Sequence, residues 1–207
     1  MNKAFKQQIV DLLNGDRIMT IATNREDGWP QATVVGYAND GLIVYCLVSK
    51  DSQKFANITR DPRVSLTIAK DVPQPLMIRG LSIAAHVEVS YDQGEIDHAY
   101  EILLRRYPEY KIMPQPDPKA VPLLRITPEY VSVLDYSKGF GHTDLVKVTD
   151  SDLAEFVEAR RHHWASFHAA WVRRTRPGAA HGVSPHRKPP DNGRGRAAPA
   201  FRSMPEP

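Results

Sequence analysis

The stretch Tyr45-Cys46-Leu47-Val48-Ser49-Lys50-Asp51-Ser52-Gln53-Lys54 decides how this chain is read. An apolar strand ends within it, and a short helix begins among hydroxyls, an acid and lysines. The first-turn amides of a helix have no intrahelical partner, and the helix dipole favours an anion beside them. Lys50 and Lys54 add positive charge, and Ser49 and Ser52 add donors, so the junction has the chemistry of a phosphate site. Asp51 would repel a phosphate and reads as the helix cap.

Strand signals surround the junction. Upstream, Phe5, Ile9, Leu12 and Leu13 fall at helical spacing, and Gly15 stops that helix. Residues 17–23 read as a strand, 24–28 as a turn, and 31–37 as a second strand with Pro30 at its entrance. Asn39-Asp40-Gly41 is a hairpin signal, so 42–48 becomes a third strand, antiparallel to the second. Downstream, the short helix covers 52–59, a fourth strand covers 63–69, and a long extended run covers 76–90. Gly80 and Ala84-Ala85 predict a bend or bulge in that run. A helix follows with Ile96, Ala99, Tyr100, Leu103 and Tyr107 on one face, ended by Pro108. Residues 109–121 form a proline-rich connection, and 123–126 with 130–135 form the last strand or strand pair. About six strands joined mostly by short turns exclude a doubly wound parallel sheet, which needs long crossovers. A small antiparallel barrel with outer helices is expected.

The chain divides at about residue 146. A barrel domain over 1–146 is followed by an amphipathic helix over 147–172, with Phe156, Val157, Trp164, Phe167 and Trp171 on its stripe. Residues 173–207 are rich in Pro, Gly and Arg with almost no large apolar side chains, the composition of a disordered tail. The formal net charge of +3 resides in that tail: 172–207 carry 8 Lys and Arg against 2 acids, and the remainder is net negative. The body therefore has no electrostatic reason to bind nucleic acid. Gly193-Arg194-Gly195-Arg196 is too short a repeat to change that. No apolar run approaches the roughly 20 residues needed to span a membrane. The N-terminus lacks a signal-peptide core, and the single cysteine, Cys46, suits a reducing compartment, so a cytoplasmic location is expected. Cys46 sits mid-strand and reads as a buried structural thiol. His162, His163 and His168 lie on a basic helix face without cysteine or carboxylate ligands at metal spacing, and no metal site is expected.

Taken in order, these elements resemble the pyridoxamine 5′-phosphate oxidase-like superfamily of FMN-binding split barrels. The segments that carry the resemblance are Pro30-Gln31-Ala32-Thr33-Val34-Val35-Gly36-Tyr37, then Asp40-Gly41 through Ser52-Gln53-Lys54, then Asn57 through Arg60-Asp61-Pro62-Arg63-Val64. The resemblance covers roughly 3–146 and implies a mainly β fold with helices, a six-stranded antiparallel split barrel that forms a homodimer. It implies that the second strand lays its backbone along a flavin ring through Ala32, Thr33, Val34 and Val35. Tyr45 and Cys46 would add contacts, and Ser49, Lys50, Ser52, Gln53 and Lys54 would hold the phosphate. Gln53 stands where the oxidases have an arginine, and no arginine opens the second-strand motif, so Lys50 and Arg79 are the candidate replacements. The segment after the last strand commonly reaches the partner's flavin, which points to Tyr136, Lys138 and His142.

The expected activity is FMN-dependent redox chemistry on a small organic substrate, with NAD(P)H or oxygen as the second partner. The cofactor carries such chemistry and the protein orients it, so no catalytic side chain is assigned. A deazaflavin or haem in place of FMN, or a non-enzymatic flavin-binding or stress protein, are the alternatives. The Arg-x-His motif that grips pyridoxamine phosphate has its only comparable spacing at Arg160-Arg161-His162, on a predicted helix, so oxidation of that substrate is not expected.

Overall fold

A computed structural model describes residues 1–113, 116–117 and 119–153. The amphipathic helix beyond 153, the basic tail, the three histidines and Arg160-Arg161-His162 lie outside the described residues. A helical turn begins at Asp150, whereas Lys147, the first residue of the expected helix, ends a strand.

Eight strands and three helices follow one another as α1 (Lys3–Gly15), β1 (Ile18–Asn24), β2 (Pro30–Gly36), β3 (Ala38–Asp40), β4 (Ile43–Leu47), α2 (Gln53–Arg60), β5 (Arg63–Ala69), β6 (Arg79–Val89), α3 (Gln93–Arg106), β7 (Leu123–Asp135) and β8 (Thr143–Lys147). All join one antiparallel sheet in the order β2-β1-β5-β6-β7-β4-β3, with β8 paired to β7. The expectation of six strands is thus corrected to eight. One difference is β3, a three-residue strand split from β2 at Tyr37, and the other is β8, in a stretch that alternates too briefly to be read as a strand. The third expected strand is also repartnered. β4 pairs with β3 and β7, not with β2.

β2 and β3 lie at opposite ends of the strand order, yet one residue separates them in the chain. The sheet must therefore curl until its ends meet at Tyr37, which makes it a half-barrel. Continuing the β3–β4 register past Ala38↔Tyr45 would bring Gly36 opposite Leu47. β2 and β4 do not pair there. Tyr107 enters the seam instead, its hydroxyl accepting from the Tyr37 amide at 2.9 Å and donating to the Arg17 carbonyl. A Cβ on Gly36 would sit 3.0 Å from that hydroxyl, so the seam needs a glycine there. Tyr107→Phe should cost about 1 kcal/mol, the usual net worth of one hydrogen bond. The cost is held down because the Tyr37 amide keeps the Arg17 carbonyl as a second acceptor at 3.2 Å. Chemical denaturation of the two proteins measures it.

The inner face fills by alternation. In β5, Val64, Leu66 and Ile68 are buried and Arg63, Ser65 and Thr67 are exposed. Met19, Ile21, Leu81, Ile83, Val131 and Val133 complete that layer, and Ile9 and Leu13 of α1 pack into the same core. The bulge foreseen in the long strand falls at Ala84/Ala85, opposite Pro128 and Tyr130 of β7. There β6 keeps pairing while β7 spends Glu129 as the extra residue, so a proline is tolerated inside a 13-residue strand.

Candidate functional site

The middle of the outer sheet face carries small and hydroxyl side chains, and its charges gather toward one end at Arg63, His86 and Lys147. Strand registers align Val34, Thr20, Thr67, Ser82, Ser132 and Leu145 in one row across six strands. The next row reads Ala32, Ala22, Ser65, Ala84, Tyr130 and Lys147. Val34 and Leu145 are 64% and 70% exposed, and Ile18 on the same face is 60% exposed, so these apolar side chains have no cover among the described residues. Among the described residues β2 pairs only with β1, and its other edge makes no strand pairing.

The β4–α2 junction folds as a capped helix start. Ser52, not Asp51, is the cap: its hydroxyl accepts from the Phe55 amide at 3.2 Å and donates to the Ser49 carbonyl at 2.7 Å. Serine wins because its side chain reaches the third helical amide from the capping position, which Asp51 precedes by one residue. The amides of Gln53 and Lys54 are left without intrahelical partners. Lys54 is partly buried with no ion pair or hydrogen bond among the described residues, and burial pushes its pKa down. Ser49 and Lys50 are exposed beside it. A second orphan lies in β2: the Thr33 hydroxyl is buried and without a partner among the described residues. An unpaired cation, two open amides and an orphaned hydroxyl all cost free energy in an empty protein. Each is relieved by an anionic, hydrogen-bonding ligand, so these groups fit a phosphate-bearing cofactor.

A buried network fastens this helix to the strands. Asn57 is 1% exposed. Its amide donates to Thr23 Oγ1 at 3.0 Å and to Gln31 Oε1 at 3.1 Å, and its oxygen accepts from Gln53 Nε2 at 2.9 Å. Gln53, which stands where the oxidases carry arginine, is exposed and spends its side-chain amide on Asn57 one helical turn on. After the helix, Asp61 holds Arg63 through two guanidinium contacts at 2.9 Å and takes Asn24 Nδ2 at 2.9 Å. These partners hold the Asp61 carboxyl well below the usual range, the Arg63 side chain contributing most. The Arg-Asp-Pro-Arg run is therefore a structural clasp between α2, β1 and β5.

Tyr45 and Cys46 present no side chain to an open surface. The Tyr45 hydroxyl donates to Glu95 of α3 at 3.0 Å, and burial raises its pKa. Cys46 is fully buried in the main core, and burial pushes its thiol up to about 12. The native protein should resist a thiol reagent at pH 8 and react fully once unfolded in denaturant; fast labelling under native conditions would contradict this burial.

Arg79, Tyr136, Lys138 and His142 form a separate group. Arg79 contacts Asp135 at 3.2 Å and Ser137 at 3.3 Å, which ties down the turn after β7. Lys138 and His142 share Asp144, at 2.9 and 3.2 Å. Lys138 is the larger cause of the lowered Asp144 pKa, ahead of His142. Gly139 and Gly141, at φ of 147° and 79°, turn this loop and leave Phe140 81% exposed. Register places Thr23 beside Val64 and Val64 beside Ala85, whereas Arg79 starts the same β6 strand six residues earlier. Six residues of strand span about 20 Å. One chain thus holds the expected site as two halves at opposite ends of its strands.

One feature of this region escaped sequence reading. A cavity of about 260 Å³ opens at the seam beside Gly36 and Leu47, walled by Tyr100 and Leu104 of α3 and by Tyr107 and Tyr110. Its only sequence signal is the run of tyrosines at 100, 107 and 110, two of which had been read as core face. Among the described residues no cluster of His, Cys, Asp or Glu could hold a metal ion, and no helix is long and apolar enough to cross a membrane.

A model of the family described as pyridoxamine 5′-phosphate oxidase matches residues 5–135. No curated protein matches the chain. Among solved structures, the chain is similar to a heme binding protein of Mycobacterium smegmatis, with a TM-score of 0.60 and 19% identity over 71% of this chain and 59% of that one. It is similar to a conserved hypothetical protein of Mycobacterium tuberculosis, with a TM-score of 0.55 and 27% identity over 72% of this chain and 94% of that one. General Stress Protein 26 of Bacillus anthracis gives a TM-score of 0.53 and 17% identity over 70% of this chain and 98% of that one.

Proposed function

This chain belongs to the pyridoxamine 5′-phosphate oxidase family, and from that premise we propose that it is an FMN-dependent oxidoreductase acting on a small organic molecule. The observation that carries the reading is Lys54, a partly buried cation with no partner among the described residues, beside two open helix amides. Lys54, the Gln53 and Lys54 amides and exposed Lys50 would hold the phosphate, and the outer edge of β2 with the Thr33 hydroxyl would orient the ring. Bound there, a flavin supplies two-electron redox chemistry with NAD(P)H or oxygen as second partner. The chain's own task is binding and orientation, and no side chain is assigned a proton transfer.

A homodimer completes this reading. The two halves of the site lie about 20 Å apart in one chain. A second copy packed on the outer sheet face would bring the Tyr136–His142 loop of one protomer toward the α2 start of the other. The cytoplasm is the proposed location. A haem or a deazaflavin in the same fold is the second reading, since a solved heme binding protein shares the architecture. The absorption spectrum of the purified protein separates them: flavin bands and oxidation of NAD(P)H support the proposal, and a Soret band with no flavin overturns it.

A further inference from the structure

The seam cavity has a chemistry of its own. Its wall is built from the aromatic rings of Tyr100, Tyr107 and Tyr110 with Leu47 and Leu104, and among the described residues no charged side chain lines it. Tyr107 and Tyr110 stack with centroids 4.9 Å apart and planes 9° apart, which makes a flat, rigid wall. Arg17 and Arg106, near this end of α3, are spent elsewhere, and Lys111 is exposed and outside the lining. Arg17 pairs with Glu109 and lies over the Tyr107 ring. Arg106 donates to the carbonyls of Leu13 and Asp16 and to Asn39. A phosphate or carboxylate entering the cavity would therefore lose its hydration without gaining a counter-charge.

Size and polarity narrow the occupant further. An apolar cavity of about 150 Å³ accepts a benzene ring, so 260 Å³ has room for a second fused ring. The Tyr107 hydroxyl is committed to Arg17 and Tyr37. The Tyr100 hydroxyl makes no hydrogen bond among the described residues, and burial raises its pKa, so it stays a neutral donor. One free donor in an aromatic slot orients a ligand with a single polar oxygen. The cavity opens at Gly36 of β2 and Leu47 of β4, the two strands on which the flavin reading places the ring. We propose that this cavity takes an uncharged, planar aromatic molecule of one or two rings and is the substrate subsite of the flavin site, an assignment that rests on the flavin reading.

The probes are 1-naphthol and 1-naphthyl phosphate, which share the ring system and differ in charge, titrated calorimetrically into the FMN-loaded full chain. Saturable naphthol binding is expected, with the phosphate ester weaker by more than about tenfold because its charge is desolvated unpaired. Leu104→Trp fills the slot and should weaken naphthol by at least about tenfold, with FMN affinity unchanged. Tyr100→Phe keeps ring and volume and should weaken naphthol by about fivefold, one hydrogen bond. Equal binding of the two probes, or naphthol binding indifferent to both substitutions, overturns the inference. Wild-type protein that binds naphthol but not FMN overturns the flavin reading and the substrate role with it, leaving a ligand cavity. Protein that binds FMN but not naphthol overturns the cavity inference alone.

Discussion

Lys54→Met weakens FMN binding by roughly 1.5–3 kcal/mol, the worth of a hydrogen bond to a charged group, or about ten- to a hundredfold in Kd. Methionine keeps the length and apolar stem of the side chain and removes only the ammonium group. The same substitution should leave the thermal stability of the FMN-free protein unchanged or slightly raised. The lysine is partly buried without a partner, and burial already disfavours its charge. Weak FMN binding in a protein that melts normally is the signature of a ligand cation. Loss of stability alongside binding would instead make Lys54 a structural residue. Titrating FMN by flavin fluorescence and recording melting curves without cofactor checks both parts.

Asn57→Leu destabilises the folded protein by roughly 1–3 kcal/mol, since it strips partners from Thr23, Gln31 and Gln53 at a buried position. Leucine has the same branching and number of heavy atoms and is no smaller, so the loss does not report a void. The α2 start is fastened to β1 and β2 by this network, and FMN binding should weaken as a secondary effect. A lowered melting temperature of the FMN-free protein, partly recovered by ligand linkage at saturating FMN, distinguishes this from Lys54→Met. A melting temperature equal to wild type would show that the network does not hold the helix.

Much of this was legible in the sequence, and the reasons for what was not are physical. α1, β1, α2 and β5 lie within two residues of their expected bounds because apolar period and turn residues agree there. The bulge at Ala84/Ala85 was signalled by small residues in a long strand. The partner of β4 was misplaced because Asn39-Asp40-Gly41 specifies a hairpin but not how far its first arm extends. Tyr107, 70 residues away, intrudes at Tyr37 and ends the pairing. Long-range intrusion of that kind leaves no local trace. The cap was misassigned by one residue, within the limit of what serine and aspartate preferences can resolve. Asn57 was visible only as part of a motif, and its role as a hub needed three elements in contact. Lys54 was named from its type and position, while its lack of a partner, the property that matters, is a fact of packing. The seam cavity was hidden because its tyrosines lie on a helix face that reads as ordinary core.

The central claim is that the α2 start holds the phosphate of a flavin, and comparing FMN with riboflavin tests it most directly. The two differ only in that phosphate. Titrating each into the full chain by fluorescence should show saturable FMN binding and riboflavin weaker by at least about tenfold. Equal affinity for the two, or flavin fluorescence unchanged by the protein in both titrations, would contradict the account.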